Sequence, residues 1–300
     1  MEEALRTTDP QKHSPPQAMT KQEEAENALS EAMLQLGQGL ERNRGPAPKV
    51  YWAILEGNIG AGKSSCLDTL KRFSQETNSD WFRVAPEPIQ SFCRLDAPQD
   101  INLEEYYKSK SSVDKMLFQI KVVRCLLERQ RLMFESAKNE GKDLVYLVER
   151  GLGSSLNFVE AQEADGLLQP RHAYQLKQLI SEIMATLPAP DLSIYLNIAP
   201  EIALGRVHWR GREGETHITL GYLRNLQTSL QRHLGRPLHT VNITPDLTPH
   251  HVCAKIVAAM THTLFPPTTH TNKAMNDGHQ PGEEEDAGEK FAAVSNEHAV

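Results

Sequence analysis

One string in the chain has residue types and spacing that already specify chemistry. Gly57-Asn58-Ile59-Gly60-Ala61-Gly62-Lys63-Ser64 is a complete G-x-x-x-x-G-K-S. Glycines at these intervals let successive backbone N–H groups converge on phosphate oxygens, and a helix starting at the end of the string adds its positive N-terminus. In such a loop Lys63 carries a cation to the β- and γ-phosphates and Ser64 offers its hydroxyl to Mg²⁺, with Ser65 beside it completing the phosphate-binding candidates. The string implies a nucleoside triphosphate held with Mg²⁺. It does not say whether the γ-phosphoryl passes to water or to an acceptor.

Carboxylates and arginines further along bear on that choice. Glu87 sits in Pro86-Glu87-Pro88, where two prolines fix the backbone around one carboxylate, as suits a positioned general base. Glu149-Arg150 places an acid where a second Mg²⁺-holding carboxylate belongs in proteins with this loop. Arg206 and Arg210 are four apart on one helical face, followed by Arg212 and Glu215 in a segment loosened by Gly211 and Gly214. Several guanidinium groups on a glycine-hinged flap neutralise the charge of a transferred phosphoryl group and exclude water on closing. Such a flap favours transfer to a small molecule over hydrolysis.

The elements that must position these groups are legible from periodicity. Val50–Leu55 is a continuous apolar run and reads as a buried strand, followed by a helix from Gly62 to Phe73. Phe82–Ala85, Leu144–Val148, Leu192–Leu196 and Thr240–Ile243 read as further strands. Helices are expected over 113–138, 170–186, Pro200–His208, Leu220–His233 and 249–264. Apolar strands alternating with helices predict an α/β fold, a five-stranded parallel sheet covered on both faces. Ligands in such sheets lie beyond the carboxyl ends of the strands, where all the residues named above fall.

Composition bounds the rest. With 32 Lys+Arg against 39 Asp+Glu the formal charge is -7, which disfavours a protein that coats nucleic acid or an anionic membrane. Cys66, Cys93, Cys125 and Cys253 are far apart with no metal spacing, so reduced thiols are expected. No apolar run is long enough to span a membrane and no leader is visible, so the expected location is cytoplasmic. Residues 49–265 are expected to form the catalytic domain. Residues 1–48 read as a solvated extension with a short amphipathic helix at about 20–43, a docking helix being the alternative, and 266–300 as a disordered acidic tail.

Taken together, these residues resemble the deoxyribonucleoside kinase family, which includes deoxycytidine, deoxyguanosine and mitochondrial-type thymidine kinases. The matching stretches are Glu56 through Lys63, Pro86-Glu87-Pro88, Phe118-Gln119, Glu149-Arg150, Ile194-Tyr195-Leu196 with Pro200-Glu201, and Arg206, Arg210, Gly211, Arg212, Glu215, Tyr222 and Leu223. They span most of 50–245 in the family's order. The resemblance implies a P-loop kinase fold with an arginine-rich lid, and ATP with Mg²⁺ as donor. The acceptor would be the 5′-hydroxyl of a deoxyribonucleoside in nucleotide salvage, and the assembly a homodimer.

Site roles follow from the same resemblance. Glu87 would take the proton from the 5′-hydroxyl, Arg150 would lie beside that hydroxyl, and Glu149 would help to hold Mg²⁺. Arg206, Arg210 and Arg212 would form the lid. Glu215 and one of two adjacent tyrosines, Tyr107 preferred, would hold the sugar 3′-hydroxyl. Gln119 would read the base edge, with Phe92 and Phe158 packing on the base. An amide presents a donor and an acceptor and can flip to suit cytosine or thymine. The chain departs from the pattern at Gly151, where a serine is common, at Phe92, where a tryptophan is common, and in a spacing from Glu149 to Phe158 one residue shorter than usual. Leu126 and Ser155 (or Ser154) replace a charged pair found in the cytidine- and guanosine-preferring branches. An uncharged base site would admit the methyl of thymine, so pyrimidines, thymidine and deoxycytidine, are expected over purines.

Two other readings are weaker. A thymidylate-type nucleoside monophosphate kinase shares the cradle and the lid, but a phosphate acceptor needs cations where Pro86-Glu87-Pro88 supplies a base. A non-catalytic member of the fold predicts erosion of these groups, whereas Lys63, Ser64, Glu87, Glu149 and the three lid arginines are all present.

Overall fold

The computed structural model of the chain describes residues 19–95, 100–212 and 215–267. Strands β1 (Val50–Gly57), β2 (Phe82–Ala85), β3 (Leu144–Glu149), β4 (Leu192–Asn197) and β5 (Leu238–Asn242) form a parallel sheet in the order β2-β3-β1-β4-β5. The strands expected from sequence are all there, and β1 runs two residues further than its apolar run, to the first glycine of the phosphate string. Register sets the site: Leu55 of β1 is opposite Glu149 of β3, and Gly57 is opposite Leu196 of β4. Every strand therefore delivers its following turn to one edge of the sheet.

Ten helices occur among the described residues. They are α1 (Lys21–Arg42), α2 (Lys63–Glu76), α3 (Ile89–Phe92), α4 (Leu103–Lys108), α5 (Ser112–Glu140), α6 (Leu152–Ala164), α7 (Pro170–Ala185), α8 (Pro200–Arg210), α9 (Leu220–His233) and α10 (Pro249–Leu264). One core lies between the sheet and α1, α2, α9 and α10, around Leu55, Leu70, Ile194, Leu226 and Ile256. The other sheet face packs Trp52, Tyr146 and Val148 against Met133 and Ala137 of α5. A third cluster, around Phe118, Leu126, Val159, Leu176 and Ile180, is purely helical. The 29-residue α5 joins these last two, its C-terminal half on the sheet and its N-terminal half in the helical cluster.

The solvated reading of the N-terminal segment gives way over 21–42. The helix expected near 20–43 forms, started by a capping box in which Glu23 N donates to Thr20 Oγ1 and Thr20 N to Glu23 Oε2. It then buries Ala25, Leu29, Ala32, Met33, Leu36 and Leu40 in the first core, lying along α10. An apolar stripe this complete has more to gain against a partner helix than in water. The acidic tail expected over 266–300 lies outside the described residues from 268 onward. No described helix is long and apolar enough to cross a membrane.

Three short or medium helices were not expected: α3, α4 and α6. Helix α6 has no apolar stripe to read, because Ser154, Ser155, Asn157 and Gln162 are buried along with Leu152, Val159 and Ala161.

Candidate active site

The phosphate string forms a left-handed, glycine-dependent loop. Gly60 (φ 81°) and Gly62 (φ 95°) occupy the region that side chains disfavour, and Gly62 is the N-cap residue of α2. A Cβ on Gly60 would stand 2.4 Å from the carbonyl oxygen of Ala203, so the loop packs directly on α8. Lys63 Nζ donates to the carbonyls of Gly57 and Asn58, both at 2.9 Å. Burial, and then the charge of Arg150, lowers the Lys63 pKa to about 8, against the opposite pull of Glu149, Glu87 and Glu56. The Asn58 side chain faces away from the cleft: its Nδ2 donates to Leu223 O at 2.8 Å and its Oδ1 accepts from Ile59 N at 2.9 Å. Its expected place among the ATP-binding groups is thus taken up by tying the loop to α9.

A single cleft of about 540 Å³ opens above this loop. Ile59 through Cys66, Glu87, Glu149, Arg150, Arg206, Arg210, Arg212 and Glu215 line it, together with Phe92, Tyr107, Gln119 and Phe158. Of the expected site residues only Gly57 and Asn58 are absent from the lining. Ser64 Oγ donates to both oxygens of Glu149, at 3.0 and 3.2 Å, and Glu149 Oε2 also accepts from Glu87 N at 3.4 Å. A hydroxyl and a carboxylate in contact are the oxygen donors a hard cation such as Mg²⁺ selects, with phosphate oxygens and water completing its shell. Among the described residues no three His, Cys, Asp or Glu side chains gather into a metal cluster.

Arg150 has φ 59°, rare for a residue with a side chain, and is almost wholly buried. Its Nε lies 3.4 Å from Glu87 Oε2, and its guanidinium carbon 4.7 Å from the centre of the Phe158 ring. Nε and Nη1 have no hydrogen-bond partner. Phe158 therefore supports Arg150 as well as forming part of the cleft wall. Gly151 is the N-cap residue of α6, and a Cβ there would meet Ile54 Cδ1 at 2.4 Å. The departure from serine at this position coincides with that contact.

Arg210, Arg212 and Glu215 form one network. Glu215, buried, accepts from Arg210 Nη2 at 2.6 Å and from Arg212 Nη1 at 3.2 Å. Arg206 Nη1 stands 3.7 Å from where a Gly62 Cβ would be, directly over the phosphate loop. Trp209, between them on α8, lines the mouth of the cleft and is 91% exposed. Burial pushes the Tyr107 hydroxyl well above its ordinary range, and Tyr222, Glu215 and Glu87 add to the shift.

At the far end the lining turns apolar: Ile89, Phe92, Leu103, Phe118, Val122 and Phe158. Phe118 stacks on Tyr106 at 4.2 Å and meets Phe92 edge-on at 6.1 Å. Gln119 is buried there with Oε1 unpartnered. Leu126 and Ser155 are buried but do not line the cleft. Both adjacent tyrosines, Tyr106 and Tyr107, line the cleft. Several lining residues had no expected role: Phe118, Tyr222, and Ile243, Leu247 and Val252. For Phe118 the signal was its place next to Gln119. For the β5–α10 residues nothing in a short apolar turn distinguishes them from core.

Comparison with known proteins bears directly on this arrangement. The family model described as "Deoxynucleoside kinase" matches residues 53–257, most of the described chain. The chain belongs to the deoxynucleoside kinase family. It is 32% identical over 193 residues to deoxycytidine kinase 2 of Gallus gallus, covering 57% of this chain and 69% of that protein. Deoxycytidine kinase 1 of Xenopus laevis is 30% identical over 200 residues (59% and 71%), and the Homo sapiens deoxycytidine kinase 30% over 195 residues (57% and 70%). This kinase is accordingly a P-loop phosphotransferase that uses ATP.

Proposed function

We propose that this kinase moves the γ-phosphoryl group of ATP to the 5′-hydroxyl of a pyrimidine deoxyribonucleoside. The observation that carries the reading is the single cleft in which Glu87 and Arg150, 3.4 Å apart, lie between the phosphate loop and an aromatic pocket. Glu87 accepts the proton of the 5′-hydroxyl as that oxygen attacks phosphorus, and Arg150, with two buried donors that make no hydrogen bond, holds the oxygens near the reaction centre. Lys63 and Arg206 bind the phosphates from below and above. Arg210 and Arg212 close over the group in flight. Mg²⁺, held by Ser64 and Glu149, would neutralise charge on the β- and γ-phosphates.

The acceptor end supports a pyrimidine. Phe92, Phe118 and Phe158 offer flat apolar surfaces, and the free Gln119 oxygen accepts from a base N–H, or the amide flips to donate. Among the described residues this end is lined by uncharged side chains apart from Arg150 beside Phe158, which leaves room for a thymine methyl. Tyr107 and Glu215 would take the 3′-hydroxyl. Exposed Val113 on α5 and Tyr174 and Met184 on α7 support a homodimer through the helical face, to be checked by sedimentation.

Steady-state rates on thymidine, deoxycytidine, deoxyadenosine and deoxyguanosine test the reading; the two pyrimidines should lead. Glu87→Gln should lower kcat by at least ~10²-fold with ATP binding retained. Near-normal turnover in that variant would remove Glu87 from the base role.

A further inference from the structure

Arg129 sits on α5 in a stretch whose buried neighbours are apolar, Val122 and Leu126 before it and Met133 after. A guanidinium in that setting needs partners, and it has three, all backbone carbonyls. Nη1 donates to Pro86 O at 3.0 Å and Glu149 O at 2.7 Å, and Nη2 donates to Arg150 O. Pro86 belongs to the turn that presents Glu87; Glu149 is the last residue of β3 and Arg150 opens the turn after it. The ladder between β2 and β3 ends at Ala85 and Val148, so the two turns leave the sheet just where the reacting groups begin. Beyond that point the contacts between them are long: Glu87 N to Glu149 Oε2 and Arg150 Nε to Glu87 Oε2, each 3.4 Å. The Arg150 backbone is also left-handed, a conformation that persists only when its surroundings hold it. Arg150 N donates to Leu55 O at 3.2 Å, and Arg129 takes its carbonyl on the other side.

We propose that Arg129 is a positioning residue that fixes the Glu87 turn against the Glu149–Arg150 turn through their carbonyls. It does not line the cleft and so acts through those turns, not on substrate. The planar fork is essential to the device, because it reaches three acceptors from one rigid group, which a lysine ammonium on a flexible stem does not. This inference rests on the kinase reading for its catalytic consequence, but the clamp itself does not.

Arg129→Gln and Arg129→Lys in the full chain test it. In Arg129→Gln, kcat should fall at least about tenfold while the KM for ATP stays within about threefold, since a shift of ångström scale at the reacting groups is costly and the cradle is built elsewhere. Arg129→Lys keeps the charge and should recover only part of kcat. Amide exchange at Glu87 and Arg150, followed by mass spectrometry, should speed up at least about tenfold in Arg129→Gln. Unchanged exchange and kcat in folded variants would overturn the proposal. Full recovery by lysine would overturn it too, by assigning the effect to charge, and so would an ATP KM rising in step with the loss of kcat. If the glutamine variant does not fold, the lysine variant against wild type decides alone. A wild-type protein that phosphorylates no nucleoside would defeat the kinase reading and leave the exchange comparison to judge the clamp.

Discussion

Lys63 shows how much a single side chain reports about the cleft. Its pKa is lowered to about 8 from an ordinary 10.5, first by burial. A triphosphate placed on it restores the charged form. Between those two values nucleotide binding therefore takes up a proton, and ATP affinity weakens as pH rises above about 8, by up to roughly tenfold per unit. Titration calorimetry at pH 7 and 9, in buffers of differing ionisation enthalpy, should show net proton uptake only at the higher pH; equal uptake at both would contradict this. Gly60 makes a second residue-scale claim. Gly60→Ala forces a Cβ onto the Ala203 carbonyl in a left-handed backbone, and should cost about 2–4 kcal/mol of stability and abolish the thermal shift given by ATP. Groups of this kind were legible in the sequence because their chemistry demands both residue type and spacing. Arg129 was not, although a charge at an inward helix position among Val122, Leu126 and Met133 is a signal that can be sought.

Among the elements, α1 changes what the N-terminal segment is for. Leu29, Met33, Leu36 and Leu40 are covered by α10, the helix whose first turns supply Pro249 and Val252 to the cleft. Leu36→Ala should cost about 2–5 kcal/mol, read as a fall in Tm, and deletion of 1–46 should destabilise the kinase rather than leave it unaffected. A truncate with the melting temperature of the full chain would show that α1 is dispensable. The helical stripe was visible in the sequence; its partner was not, since one sequence gives the face and not what lies against it. Strands and long helices emerged from period alone. Helix α4 carries a capping box, Asn102 with Glu105, that could have revealed it, whereas α6 buries polar and apolar residues on several sides and has no period to detect.

At the scale of the molecule, the phosphate loop and the aromatic pocket share one cleft, lined by residues that follow β1, β2, β3 and β5 and by the arginines of α8. Phosphoryl transfer should then be direct. Initial-rate plots with ATP and nucleoside varied together should intersect, and no labelled phosphoenzyme should accumulate from ATP alone; parallel lines would refute this. Glu87, Glu149, Lys63 and Arg150 of the cleft wall, with Glu56 and Arg129 buried behind it, interact with one another as charges. That balance leaves the triphosphate to be matched by Mg²⁺ and by Arg206, Arg210 and Arg212, so ATP binding should weaken as ionic strength rises. Trp209 adds a practical consequence. Of the three tryptophans, Trp52 is buried in the sheet and Trp81 half-buried, so the red-edge fluorescence of the protein originates at the flap. Its emission gives an intrinsic optical readout of that segment, requiring no dye and no engineered label.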